Sequence, residues 1–265
     1  MSVDSHILEL LCESCGYSIL SLPQNGACPE CGRKRAMSLP ESREGTHWQK
    51  QAGVGSWCRT VHGVTSGPDK YFDKLQICAK GGRALLVLNL GIAAAFLAHP
   101  LVGVLRFDPA SGVHEIWTIR GLLAIGLSAS VLWAAALVLF SALTMIEYLG
   151  IRFFAARRQW RLLPNAAMQI CAHASCAWIV AALLTIVGLS LSSMLPQLGT
   201  TRAPATFWEE VVRAARFLLP GVPPLIGFAI GLIWFEWLVY KGVSSCKFAN
   251  AFEGDATLGS ERTKG

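Results

Sequence analysis

Four cysteines near the start of the chain have the residue type and spacing of a metal site. They form two Cys-x-x-Cys pairs in "CESCGYSILSLPQNGACPECG", which covers residues 12–32. A two-residue spacer lets both sulfurs of a pair reach one ion from a tight turn. The pattern predicts a zinc site held by Cys12, Cys15, Cys28 and Cys31. An iron site of the rubredoxin type would use the same four ligands.

The residues around these cysteines predict the local fold. Glycine follows the second cysteine of each pair, at positions 16 and 32, where a turn with positive φ favours it. Between the pairs, Asn25-Gly26 is a hairpin signal. Residues 8–35 are therefore predicted to be a zinc ribbon, two metal-binding turns joined by a β-hairpin. Because the protein supplies all four ligands, the metal is expected to be structural.

The rest of the chain has the composition of a membrane protein. Of its 265 residues, 53% are hydrophobic and only 15% are charged, against about 25% charged residues in soluble domains. A helix that crosses a bilayer needs roughly 20 apolar residues. Four segments qualify: 84–105, 121–149, 166–195 and 218–240. The predicted fold class is an all-α membrane protein of about four transmembrane helices, with a small N-terminal zinc-ribbon β-hairpin module.

The remaining segments complete the predicted organisation. Residues 36–83 are predicted to be a linker and a helix on the inner interface, residues 84–243 the four-helix bundle, and residues 244–265 a flexible tail. A second surface helix is predicted in "TFWEEVVRAARFLL", where apolar residues recur with a helical period and Thr206 and Glu209 have capping-box spacing.

Lysine and arginine residues predict the orientation in the membrane. The segments on one side of the predicted spans carry twice as many as those on the other. Since the positive side is cytoplasmic, both termini of this multi-pass protein are predicted on the cytoplasmic side of the inner membrane. The cysteines would then lie in a reducing compartment, where their thiolates remain available for a metal ion.

Three ionisable residues fall within the predicted spans, near their inner ends: Glu147, His173 and Glu236. A charged group in a bilayer is costly, so it is by default a candidate functional residue. If the three meet in the bundle, they predict a proton, cation or metal site of a small transporter or channel. The alternative is that each carboxylate reaches the interface, Glu147 to pair with Arg152 and Glu236 to pair with Lys241.

The chain also resembles known proteins. "CGYSILSLPQNGACPECG" closely resembles the N-terminal ribbon of a large set of uncharacterised bacterial membrane proteins, which read roughly CxxCGYxLxxLPxxGxCPECG. "SWCRTVHGVTSGPDKYFDKL", "AHASCAWIV" and "LIWFEWLVYKGVSSCKFAN" resemble their pre-membrane segment and their last two spans. The body is loosely similar to the Yip family, multi-pass proteins of membrane trafficking and organisation that usually have one span more. The resemblance implies zinc at the same four cysteines and implies no particular activity.

The functional prediction follows from these patterns. The His-Glu-x-x-His, Gly-x-Ser-x-Gly and Walker A motifs of common enzymes do not occur in the sequence. A non-enzymatic protein is therefore expected, embedded in the lipid bilayer, whose ribbon contacts a cytoplasmic protein partner or helps to organise the membrane. A membrane-tethered nucleic-acid binder that uses Arg33, Lys34 and Arg35 is a further alternative, but no interleaved aromatic residues support base stacking.

Overall fold

The computed structural model describes residues 10–78, 81–106, 119–194 and 221–251. Within these ranges the chain is mostly helical, as predicted, and no strand forms. In place of the predicted hairpin, two isolated antiparallel bridges form, Leu11 with Ser18 and Ala27 with Lys34. Each bridge closes its own Cys-x-x-Cys turn, so the two turns are built separately.

Eight α-helices lie in the described ranges. In chain order they are α1 (His47–Lys50), α2 (Val54–Ser66), α3 (Pro68–Phe72), α4 (Gly82–Arg106), α5 (Ile119–Arg157), α6 (Pro164–Ala174), α7 (Ala177–Met194) and α8 (Val222–Cys246). Two short 3-10 helices, Arg35–Ser38 and Pro40–Ser42, precede α1. The second predicted surface helix and the end of the chain after residue 251 lie outside the described residues.

Three helical stretches are long and apolar enough to cross a membrane: Leu123–Arg157, Pro164–Ser192 and Val222–Cys246. They keep many large apolar side chains on the protein surface, among them Leu127 and Ile233. An apolar surface of this kind suits a lipid environment, so the chain has the character of a membrane protein. The first predicted span, which α4 overlaps, remains a prediction, because the apolar helix found there, Gly82–Ala98, is shorter.

The third predicted span is interrupted. A turn at Ser175 and Cys176 separates α6 from α7. The Ser175 hydroxyl donates to the carbonyl of Ala172 at 2.7 Å, and the N–H of Ile179 donates to the carbonyl of Cys176, three residues back, at 3.1 Å. A serine that bonds to the preceding turn and a tightened three-residue turn both bend a helix. The hydropathy pattern does not report this break.

The chain forms two compact units. The terminal unit consists of Met1–Val87, Leu143–Ser175 and Glu236–Gly265, and the helical unit of Leu88–Ala142 and Cys176–Phe235. The terminal unit therefore brings the N-terminal segments to the start of α4, the end of α5, α6 and the end of α8. These helix ends are the ones that the sequence predicts on the cytoplasmic side.

The helical unit packs around aromatic residues and glycines. The ring centroid of buried Trp178 lies 5.2 Å from that of Phe140 and 4.6 Å from that of Phe235. Beside them, α8 approaches α7 so closely that a Cβ on Gly231 would stand 2.2 Å from the Cβ of Ala181. Close backbone approach at glycine is a common way for helices to associate in membranes, where hydrophobic burial drives little association.

The terminal unit differs from the predicted linker and tail. The residues predicted to be a linker form the two 3-10 helices, α1 and α2. The predicted inner helix is limited to the five residues of α3. At the other end, α8 continues to Cys246, and Ala249 and Asn250 are buried, so residues 244–250 are not a flexible tail. Contacts with the N-terminal cysteine module hold these residues in place.

Candidate metal centre

The four predicted ligands come together in the structure. Their Sγ atoms all lie within 4.8 Å of one another, with the Cys12–Cys31 and Cys15–Cys28 sulfurs 3.5 Å apart. Four sulfurs at about 2.3 Å from one tetrahedral zinc ion would stand about 3.8 Å from each other. The cluster therefore has the size that a single tetrahedral ion requires, and its cysteines are free thiols.

Backbone hydrogen bonds build both turns in the same way. The N–H of Gly16 donates to the carbonyl of Cys12, and the N–H of Gly32 donates to that of Cys28, each at 2.8 Å. Both glycines have positive φ, 81° and 73°, a conformation that other residues rarely adopt. The turn conformation therefore explains why glycine follows each Cys-x-x-Cys pair.

The thiols do not ionise equally. Burial opposes ionisation of Cys12, but hydrogen bonds from the backbone of Cys15 and Ser14 and from neighbouring thiols lower the pKa of Cys12 to about 7. Burial and the other three thiols raise the pKa of Cys15 to about 12. Ionisation of Cys12 is thus favoured, and ionisation of Cys15 is opposed. A bound cation would remove this repulsion, since metal ligation requires thiolates and releases their protons.

A buried arginine connects the metal centre to the membrane helices of the terminal unit. Arg43 donates from Nε and Nη2 to the carboxylate of Glu13, at 2.8 and 3.2 Å. Its Nη1 donates to the carbonyls of Phe72 and Leu75, at 3.0 and 3.1 Å, and its Nη2 also donates to the carbonyl of Ser245 at 2.9 Å. All five guanidinium N–H donors therefore have an acceptor.

Both partners of this ion pair are buried. The side chains of Arg43 and Glu13 are only 3% and 4% exposed. Burial alone would lower the pKa of Arg43, but the neighbouring Cys246 and Glu13 raise that pKa above its ordinary value. The guanidinium therefore stays protonated. Because Glu13 lies between Cys12 and Cys15, Arg43 links the first cysteine turn to the end of α8.

Residues after α8 hold the other side of the module. Asn250 accepts a hydrogen bond from the N–H of Leu11 at 3.1 Å and donates to the carbonyls of Leu11 and Ser38. The ring of Phe248 lies against Gly16, where a Cβ would stand 2.8 Å from it. These contacts are the reason that the predicted tail is ordered up to residue 250. They join residues more than 200 positions apart, which no local pattern reports.

In the structure, His173 has hydrogen-bond partners other than the two glutamates. The Nε2 of His173 lies 3.2 Å from the hydroxyl of Thr46, and its Nδ1 lies 2.7 Å from the carbonyl of Gln169. A carbonyl oxygen can only accept, so the proton of a neutral imidazole resides on Nδ1 and is donated to Gln169. Nε2 then accepts from the Thr46 hydroxyl, which itself accepts from the N–H of Gln49. The hypothesis of one site formed by Glu147, His173 and Glu236 does not match this arrangement.

The two glutamates meet each other instead. Glu147 and Glu236 line one cavity of about 330 Å³ in the terminal unit and are close enough to share a side-chain hydrogen bond. The expected partner of Glu236, Lys241, is 3.0 Å from Asp69. Lys241 thus pairs with Asp69 in α3 and not, as expected, with Glu236.

Sequence reasoning missed the residues that fix the module in place. Arg43 lies in a polar stretch and Asn250 between two alanines, and neither has a local sequence signal. Thr46 was recognisable, because Thr46 and Gln49 have the spacing of a capping box, and both reciprocal hydrogen bonds of that box form at the start of α1.

Comparisons with known proteins found no matching family model, no matching curated protein and no matching solved structure. The interpretation of the site therefore depends on the geometry of its own residues.

The buried arginine gives a direct test of this docking. Arg43→Gln leaves the buried Glu13 carboxylate with only the partly exposed Arg33, 3.6 Å away, as a cationic partner. Breaking a buried pair typically costs about 3–5 kcal/mol. We expect a clearly lower melting temperature of the full-length protein in detergent. The matched control is Lys74→Gln, which breaks the exposed pair with Glu44, where the expected loss is about 0–1 kcal/mol. Equal melting temperatures for the two variants would contradict the docking role of Arg43.

Proposed function

We propose that this chain is a multi-pass membrane protein whose cysteines 12, 15, 28 and 31 hold one structural zinc ion. The observation that carries the proposal is the set of four sulfurs at tetrahedral spacing. Four protein ligands complete the coordination of zinc and leave no position for a substrate. The ion then acts on folding, and the protein is a non-enzymatic one. The resemblance of the ribbon sequence supports zinc over iron.

The proposed location is the inner membrane, with both termini in the cytoplasm. The ends of α5 and α8 in the terminal unit support this orientation, because their basic side chains lie over aromatic rings. Arg152 lies over Tyr148, and Lys241 lies over Trp237. Such amphipathic pairs are typical of membrane–water interfaces, and the greater number of basic residues is expected on the cytoplasmic side.

The proposed role is to present a rigid surface to a cytoplasmic protein partner. Large apolar side chains of the module remain exposed, with Leu20 at 60% and Met37 at 54%. Aromatic and methionine side chains are enriched in protein interfaces, and Tyr17 is also exposed. A module fixed to the membrane helices holds these side chains in a constant position, which lowers the ordering cost of binding.

The basic run beside the module favours this role over nucleic-acid binding. Arg33 donates to the carbonyl of Met37 at 2.9 Å and lies 3.6 Å from the carboxylate of Glu13. Arg35 donates to the carbonyl of Leu22. Both guanidinium groups are thus used within the module, which leaves Lys34 as the exposed cation of the run.

Metal content tests the zinc proposal. We expect one zinc ion per purified chain by elemental analysis, and a Cys28→Ser variant that has lost most of it. Cys58→Ser is the matched control, because Cys58 is an exposed free thiol of α2 outside the cluster. This variant should retain its zinc. A wild-type protein that contains iron, or no metal, would contradict the proposal even if Cys28→Ser fails to fold.

Partner capture from membranes tests the proposed role separately. Leu20→Glu places a charge on the exposed face of the module and should leave zinc binding intact. We expect this variant to lose a protein that the wild type captures. Val54→Glu is the control, since Val54 is 81% exposed at the start of α2. The same set of captured proteins for wild type and Leu20→Glu would contradict an interaction through this face.

A further inference from the structure

One cavity of the terminal unit lies outside the four-cysteine cluster. It has a volume of about 400 Å³ and is lined entirely by residues between positions 44 and 74. Thr46 and Tyr71, both buried, form part of its floor. Its lining includes exposed cationic side chains from α1, α2, α3 and the segment after α3: Lys50, Arg59, Lys70 and Lys74.

The charge of this cavity is predominantly positive. Glu44 is the carboxylate among its lining residues, and it lies 3.7 Å from the ammonium group of Lys74. Asp69, next to Lys70 in the chain, is engaged by Lys241 at 3.0 Å and does not line the cavity. His47 and His62 add ring N–H donors to the same lining. The cavity therefore has an excess of cations and hydrogen-bond donors.

The cavity lies beside the ends of two membrane helices. Thr46 on its floor is hydrogen-bonded to His173 of α6. The helix that carries Lys70 and Tyr71 is joined to α8 through the Asp69–Lys241 pair. Both α6 and α8 belong to stretches apolar enough to cross a membrane. A ligand in the cavity would thus lie near the membrane surface.

We propose that this cavity binds a phosphate group, carried by an anionic lipid headgroup or by a free phosphate. Its volume is within the range of about 300–1,000 Å³ that is typical of small-ligand pockets. Arginine and lysine are the usual protein partners of phosphate oxygens. Basic clusters adjacent to the cytoplasmic end of a membrane helix attract anionic headgroups in particular. The site is independent of the zinc ion.

The test uses the full-length protein in a neutral detergent and measures its melting temperature. One arm adds short-chain phosphatidylglycerol, with short-chain phosphatidylcholine as its uncharged reference, and the other adds inorganic phosphate. The double variant Arg59→Gln/Lys70→Gln, the rim variant, removes two exposed cations of the cavity lining. The matched control, Arg152→Gln/Arg157→Gln, removes two exposed cations of α5 that do not line the cavity.

For the wild type, phosphatidylglycerol or inorganic phosphate should raise the melting temperature, and phosphatidylcholine should not. Each cation near an anionic surface changes the affinity about fivefold, so the rim variant should bind roughly thirtyfold more weakly. The control variant should stay close to the wild type. Stabilisation by phosphatidylglycerol alone identifies a headgroup site, and stabilisation by inorganic phosphate identifies a site for free phosphate.

Two results would overturn the proposal. One is no stabilisation of the wild type by either phosphate source. The other is an equal loss of affinity in the rim and control variants, which would mean that anions are attracted by the overall charge and not by the cavity. The zinc content and melting temperature of the rim variant are also measured without lipid or phosphate. If both equal those of the wild type, a loss of affinity does not come from unfolding.

Discussion

The buried guanidinium of Arg43 places a strict demand on its surroundings. A charge removed from water must be paired, and its donors must have acceptors, or folding becomes unfavourable by several kcal/mol. Here the acceptors come from three distant parts of the chain: Glu13 in the first metal turn, carbonyls at Phe72 and Leu75, and a carbonyl at Ser245. These segments can satisfy Arg43 only when they lie together.

The four-cysteine module also depends on these contacts. The module has a very small core of its own, in which Cys12, Ile19 and Cys28 are buried with Leu10 and Leu22 against them. A core of this size does not fold without additional support. The proposed metal ion would supply one support, because its binding free energy becomes folding free energy. Docking on the end of α8 supplies the other support. Because the module and the end of α8 are in contact, the metal centre is expected to stabilise the end of α8 as well.

The sequence predicted the features that depend on local spacing. Two Cys-x-x-Cys pairs with following glycines identified the cluster, since a tight turn needs those residues in that order. Long apolar runs identified the three stretches that can cross a membrane, because bilayer thickness sets a minimum length. The four-cysteine cluster and the membrane character are therefore confirmed, although the identity of the metal and the topology remain predictions.

The features that depend on contacts between distant residues were missed. The segment 244–250 has few apolar residues and was predicted to be a flexible tail, yet Asn250 pairs with Leu11 across most of the chain length. His173 was placed with the glutamates by depth along a helix, but depth does not report which way a side chain points. Thr46 occupies its Nε2 instead. Polar contacts of this kind become visible only when the packing of the helices is known.

Hydrogen exchange of the full-length protein, measured before and after the proposed zinc ion is removed by a chelator, tests the central claim most directly. The claim is that the metal centre and the end of α8 form one structural unit through Arg43 and Asn250. We predict faster exchange at residues 10–38 and also at residues 245–250, with both reversed when zinc is restored. An increase confined to residues 10–38, with unchanged protection at residues 245–250, would contradict the account.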